Sequence, residues 1–213
     1  GDPGPGLELQ VLRPPDLKSW TLEGLDELGG LDGAGLVEMP VDGNPKDMRW
    51  VLWAADDRYW ICRAKDRVLT RESGPHVGDY GAQHQGARAW TDIPDGRVLL
   101  LGWMQGGRYP GMPFDQQMGF PVEVSLQSTA EGVRWVKWPV REIAGLFTHA
   151  LREDLPRPLP AGEHALRLGG QECLDFELEF LPGTARQLAL VVRGERLVWD
   201  RESGMLGAFG RRM

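Results

Sequence analysis

Few residues in this chain are spaced for a recognisable chemistry. The paired carboxylates Asp56-Asp57 suggest a metal ligand pair. They fall between two apolar-aromatic runs, 49–55 and 58–64, where a paired-Asp hairpin turn accounts for them. Cys62 and Cys173 lie far apart, with no CxxC pair and no framework of disulfides. His76, His84, His149 and His164 show no ligand spacing, so neither a metal nor a cofactor is expected. There is no GxSxG elbow, no phosphate-binding loop, no HExxH and no GxGxxG after a strand. Trp103 closes an apolar run where a Gly/Pro-rich loop opens, a usual place for an aromatic that lines a pocket. Asp115, Gln116 and Gln117 follow in that loop and offer hydrogen bonds to hydroxyls, although a plain polar loop also explains them.

The elements that must position these residues read as short strands. Residues 97–104 form an apolar run after the turn Pro94-Asp95-Gly96, and 87–92 pairs with it across that turn. Residues 120–126 alternate, with Val122, Val124 and Leu126 on one face. Further strands are expected at 7–12, 36–41 and 68–72, and in hairpins 49–55/58–64, 121–127/133–138 and 187–192/196–200. The segment 17–22 reads as a short strand or a turn. Loops are expected at 23–35, which holds five glycines in thirteen residues, and at 73–85. Residues 140–151 are the best helix candidate, 155–162 read as a proline-rich crossing, and 174–181 alternate as a strand. Short antiparallel strands without a convincing amphipathic helix make the chain all-β, with a sandwich-like second half.

Bulk composition narrows the partners. A chain of 213 residues holds one large or two small domains. With 41% hydrophobic and 26% charged residues it reads as an ordinary soluble globular protein. A net charge of −7 argues against nucleic acid or an anionic membrane and leaves neutral sugars open. Nine tryptophans fit sugar stacking, though core packing explains most of them. The opening GDPGPG is neither a signal peptide nor a spanning segment, and extracellular, periplasmic and cytoplasmic settings all stay open.

The segments PDGRVLLLGWM (94–104), GMPFDQQMGFPVEVSL (111–126) and EGVRWVKWPVREI (131–143) resemble glycoside hydrolase family 32, the β-fructosidases that cleave sucrose, levan and inulin. The resemblance runs on through PDLKSW (15–20), LVEMPVDGNPKDMRWVL (36–52) and DYG (79–81), in the family's order. It implies a partial five-bladed β-propeller over 1–138, its last blades, followed by an incomplete β-sandwich-like module over 139–213. Set against the family, the chain begins after the first blades and stops where more sandwich strands belong. Missing chain, self-association or a partner chain completing the propeller, or else exposed apolar edges, is therefore expected.

The resemblance also implies a retaining mechanism, with one carboxylate as nucleophile and another as acid/base. The family's nucleophile lies in a WMNDPNG-type motif, which this sequence lacks. Its acid/base is the Glu of a Glu-Cys-Pro-Asp motif before a Leu-Phe-Glu-Leu-Pro segment. Here Leu36-Val37-Glu38-Met39-Pro40 follows Asp32-Gly33-Ala34-Gly35, so Asp32 takes the acid/base position. An Asp is one methylene short, and the same residue reads equally as an acidic member of a glycine-rich turn. The family's Tyr-Ala-Ala-Gln-Thr-Phe segment, part of its sugar pocket, is here Gln85-Gly86-Ala87-Arg88-Ala89-Trp90, which changes shape and charge at Gln85 and Arg88. Trp103 matches the Trp that the family sets against fructose, and strand-end packing is its other reading. Asp2 stands superficially like the Asp of an Arg-Asp-Pro motif that holds fructosyl hydroxyls, or simply belongs to an irregular end. The implied partner is a fructose-containing sugar or fructan, with hydrolysis by the isolated chain not expected. The alternatives are a non-catalytic fructan-binding or interaction module and a truncated product with no function of its own.

Overall fold

The computed structural model describes residues 9–13, 16–26, 31–65, 68–149, 155, 158–166 and 174–212. The chain divides into two units, Gly1–Val140 with Arg211–Met213, and Arg141–Gly210. In the first, β1 (Leu9–Arg13) pairs antiparallel with β2 (Thr21–Asp26). Strands β3 (Gly35–Val41), β4 (Asn44–Trp53), β5 (Arg58–Lys65) and β6 (Val68–Val77) then form an antiparallel meander in chain order. A second meander is built from β7 (His84–Trp90), β8 (Val98–Met104), β10 (Val122–Thr129) and β11 (Gly132–Pro139), with β9 (Gln117–Met118) laid beside the end of β8. Four-stranded antiparallel sheets of this kind are the blades of a propeller. The chain is all-β, and the partial propeller is present as two blades.

A single parallel bridge, Leu126 opposite Val41, joins the two meanders through backbone. Asp42 reinforces it. Its N–H donates to the Leu126 carbonyl at 2.9 Å, and its Oδ1 accepts from the Ser128 N–H at 2.9 Å. Asp42 and Gly43 can do this because both take left-handed φ, 52° and 72°, the geometry of a two-residue hairpin turn.

Side-chain packing does the larger share of the joining. The apolar runs of β4 and β5 are buried on both faces, so alternate residues feed two separate cores. Val51, Trp53, Tyr59 and Ile61 join Val37, Met39 and Val41 from β3 with Ala87, Leu100, Val124, Leu126 and Trp135 from the second meander. Leu52, Ala54, Trp60 and Cys62 face the other way, toward Leu31. Trp135 sits 5.4 Å from Trp53 and 5.5 Å from Tyr59, ring centre to ring centre. Trp53 Nε1–H donates to the Ala87 carbonyl at 3.1 Å, and the Trp135 N–H donates to the Tyr59 hydroxyl at 3.3 Å. Position 35 must be glycine for this, because a Cβ there would lie 2.0 Å from the Trp53 ring.

Four expectations change. Residues 23–26, expected in a loop, complete β2, because pairing with β1 overrides the glycine-rich composition. Residues 73–77 extend β6, and the connecting loop is shorter than the sequence indicates. Gly74 and Pro75 are tolerated there because β6 ends the sheet order, where a missing N–H breaks no ladder. The helix candidate at 140–151 contains only a 3-10 turn over Arg141–Leu146, with residues 150 and 151 outside the described part. Residues 174–181 carry no strand ladder, and Phe176, Leu178 and Phe180 are all more than a third exposed. In this second unit β12 (Gln187–Val192) and β13 (Glu195–Asp200) turn through Arg193 and Gly194, with φ of 51° and 84°. Next to β13 lies β14 (Leu206–Ala208).

On the first meander Arg49 Nε donates to Glu72 at 2.6 Å and Arg63 Nε donates to it at 2.7 Å. Burial raises the Glu72 carboxyl, but the two guanidiniums outweigh it and hold its pKa below the ordinary 4.5. A lowered carboxylate pKa contributes stability above about pH 4.5, which is lost as pH falls through the lowered value. The Glu72 side chain is 35% exposed, so solvent screening trims the effect. Glu72→Gln is expected to cost no more than about 1 kcal/mol at pH 7 and progressively less as the pH falls below the ordinary carboxyl value, read from urea unfolding across that range.

Candidate functional site

The residues proposed for sugar recognition come from three segments that cross at Ala55, just after β4. The Ala55 N–H donates to the Asp32 carbonyl at 2.7 Å, and the Ala55 carbonyl accepts from the Gly86 N–H at 2.9 Å. The lead-in to β3 and the start of β7 are thereby pinned to the β4–β5 turn. Around this crossing lies a cleft of about 190 Å³ lined by Asp32, Ala54, Ala55, Asp56 and Gln85. Drug-sized ligands usually occupy about 300–1,000 Å³, so this cleft is on the scale of one small ring.

Gly86 shapes the far wall. It takes φ of 61° where the β7–β8 register shifts, a bulge that buries Ala87 and sends Arg88 outward. Arg88 Nη1 donates to the Gly33 carbonyl at 2.9 Å and to the Ala87 carbonyl at 3.1 Å, which fixes the guanidinium beside the residue that follows Asp32. Gln85 and Trp103 are directly opposed across β7 and β8, so both side chains leave the sheet on the same face. Trp103 is 39% exposed, leaving much of its indole free for contact.

Asp32 and Gln85 therefore line one cleft, with Arg88 bonded at its rim and Trp103 next to Gln85. Asp2 lies outside the described residues. Asp115 and Gln117 are exposed, and Gln116 donates its N–H to the Gly107 carbonyl at 2.8 Å; none of the three lines the cleft. The wall residue missed in the sequence is Asp56. Its carboxylate accepts from Arg58 Nε at 2.6 Å, which holds it in place at the cleft mouth. Asp-Asp between two strands signals a turn, and nothing local says that one of the pair also faces a cavity. Carboxylate acceptors, a carboxamide and a guanidinium around small alanine side chains suit an uncharged polyol.

No protein-family model matches the chain. Over 235 residues it is 28% identical to a levanase from Bacillus subtilis, an alignment covering 94% of this chain and 34% of that protein. A levanase from Bacillus sp. strain L7 is also 28% identical, over 230 residues, covering 93% of this chain and 25% of its own. The chain thus spans about a third or less of the curated relatives it matches. Among solved structures, the glycoside hydrolase family 32 β-fructofuranosidase of Bombyx mori superposes with a TM-score of 0.61 at 17% identity, covering 96% of this chain and 47% of that one. The β-fructofuranosidase of Schwanniomyces occidentalis, solved with fructosyl-erythritol, gives 0.55 at 14% identity, covering 93% and 46%. At such identities the structural likeness speaks for the fold, while the levanase alignments speak for descent. The chain is similar in sequence to levanases over most of its own length and shares its fold with glycoside hydrolase family 32 β-fructofuranosidases, of whose length it spans a part.

Proposed function

We propose that this chain recognises a fructosyl unit of a fructan in the cleft at Ala55 and by itself binds rather than cleaves. The observation that carries this reading is the meeting of Asp32, Asp56 and Gln85 on one small cavity, with the Trp103 indole opposite Gln85. The carboxylates accept hydrogen bonds from sugar hydroxyls, Gln85 offers both donor and acceptor, and the indole gives an apolar face for a ring. Residues 1–138 serve as propeller blades and 139–213 as a sandwich-like module.

Cleavage is a separate matter. A retaining glycosidase sets two free carboxyls about 5–5.5 Å apart across the bond. Asp32 takes the acid/base position, whereas Asp56 is engaged by Arg58, and no WMNDPNG-type segment supplies a nucleophile. Hydrolysis in this scaffold would draw its nucleophile from outside residues 1–213.

Calorimetric titration with levan, inulin and sucrose, with reducing sugar assayed in the same samples, tests both parts. The expected result is saturable binding without fructose release. Trp103→Ala and Asp32→Asn are each expected to weaken binding about tenfold, near 1.4 kcal/mol. Release of fructose would overturn the binding-only reading and direct mutation to Asp32. A folded chain that neither binds nor releases sugar would remove the sugar reading altogether.

A further inference from the structure

Next to the cleft residues, a polar cluster in the first unit gathers around one buried carboxylate. Asp57, in the β4–β5 turn, takes φ of 61° and is only 2% exposed. His84, the first residue of β7, approaches Asp57 Oδ2 through Nδ1. Asp79 comes from the connection between β6 and β7. One ligand atom from each of Asp57, Asp79 and His84 lies within 4.8 Å of the other two. Lys137, on β11, places Nζ 3.7 Å from Asp57 Oδ1, beyond hydrogen-bond distance. Both of these atoms are buried without a hydrogen-bond partner.

The backbone is cut to fit this cluster. A Cβ at Gly102 would lie 2.0 Å from His84 Nε2, and one at Gly78 would lie 2.4 Å from the Asp57 carbonyl oxygen. Glycine at both places lets the imidazole and the Asp57 turn come this close. The ring is thereby held against Gly102 with its other nitrogen toward Asp57. A carboxylate oxygen kept from water needs a positive partner in contact, and Lys137 stands too far away to supply a hydrogen bond. Two carboxylates and one imidazole, presented together by separate segments, form a donor set for a metal ion.

We propose that Asp57, Asp79 and His84 bind a divalent first-row transition ion, Zn²⁺ or Mn²⁺. Mixed imidazole and carboxylate donors suit these ions, whereas Ca²⁺ and Mg²⁺ favour all-oxygen sites. Lys137 competes with the ion for Asp57. The site is independent of sugar binding, although the neighbours of two ligands, Asp56 and Gln85, line the cleft.

The test uses the full chain, stripped with chelator and titrated with ZnCl₂ and MnCl₂ by calorimetry, with melting followed in parallel. One ion per chain and a rise in melting temperature are expected. Asp79→Asn and His84→Gln are each expected to weaken binding about tenfold or more, while Lys137→Met tightens it. Should His84→Gln fail to fold, Asp79→Asn and Lys137→Met still decide the matter. No saturable uptake by the folded wild-type chain, a preference for Ca²⁺ or Mg²⁺, or unchanged affinity in Asp79→Asn would each overturn the site.

Discussion

Trp53→Ala is expected to lower the stability of the chain by about 3–5 kcal/mol, the usual range for truncating a buried large aromatic. Trp53 is 2% exposed and serves three contacts at once. Its ring covers Gly35 on the neighbouring strand, packs on Trp135 of the second meander, and its indole N–H satisfies the carbonyl of Ala87, which is itself fully buried. Alanine leaves a cavity that Gly35 cannot fill and an acceptor without its donor. Trp53→Phe keeps most of the volume and is expected to lose much less. Urea unfolding followed by far-UV circular dichroism decides it. A loss below about 1 kcal/mol for the alanine variant would mean that the meanders do not depend on this contact.

Asp57→Ala is expected to cost about 3 kcal/mol, measured in chelator so that only the protein's own charges are read. The variant strands Lys137, whose side chain is 14% exposed and whose Nζ has no hydrogen-bond partner. Burial already pulls the Lys137 ammonium below its ordinary pKa of 10.5, against the opposing pull of Asp57 and Asp79. With Asp57 removed, Lys137 keeps the charge of Asp79 and the Trp135 ring, 5.1 Å from Nζ to centroid. Adding Lys137→Met is expected to recover most of the loss, because removing both buried charges is much less damaging than removing one. A double variant no more stable than Asp57→Ala would show that the two side chains are not coupled.

Much of the fold is legible in the sequence wherever a turn and its flanking runs are neighbours in the chain. Asp56-Asp57 between aromatic runs, Ala130-Glu131 between β10 and β11, and Arg193-Gly194 between β12 and β13 all close hairpins near their expected places. Reading fails where the outcome depends on a partner strand. Residues 174–181 have the period of a strand, yet a strand is a property of a pair, and no ladder forms there. Residues 73–77 have poor strand composition and are strand because β5 offers its edge. The same division applies to the site. Asp32, Gln85 and Arg88 are singled out by family resemblance alone, and Trp103 also by its place where an apolar run meets a Gly/Pro-rich loop. Their closeness arises from two backbone hydrogen bonds at Ala55, which no local pattern announces. Asp57, Asp79 and His84 lack any ligand spacing because β5, β6 and the β6–β7 connection intervene between them.

The pair Trp53 and Trp135 carries a further consequence. One indole belongs to each meander, with 5.4 Å between centres and 34° between planes. Indoles this close and tilted couple their electronic transitions, giving an exciton signal in circular dichroism that vanishes once they part. The protein is therefore its own reporter of blade separation: loss of that signal ahead of the far-UV change would mark the meanders parting while each still keeps its strands.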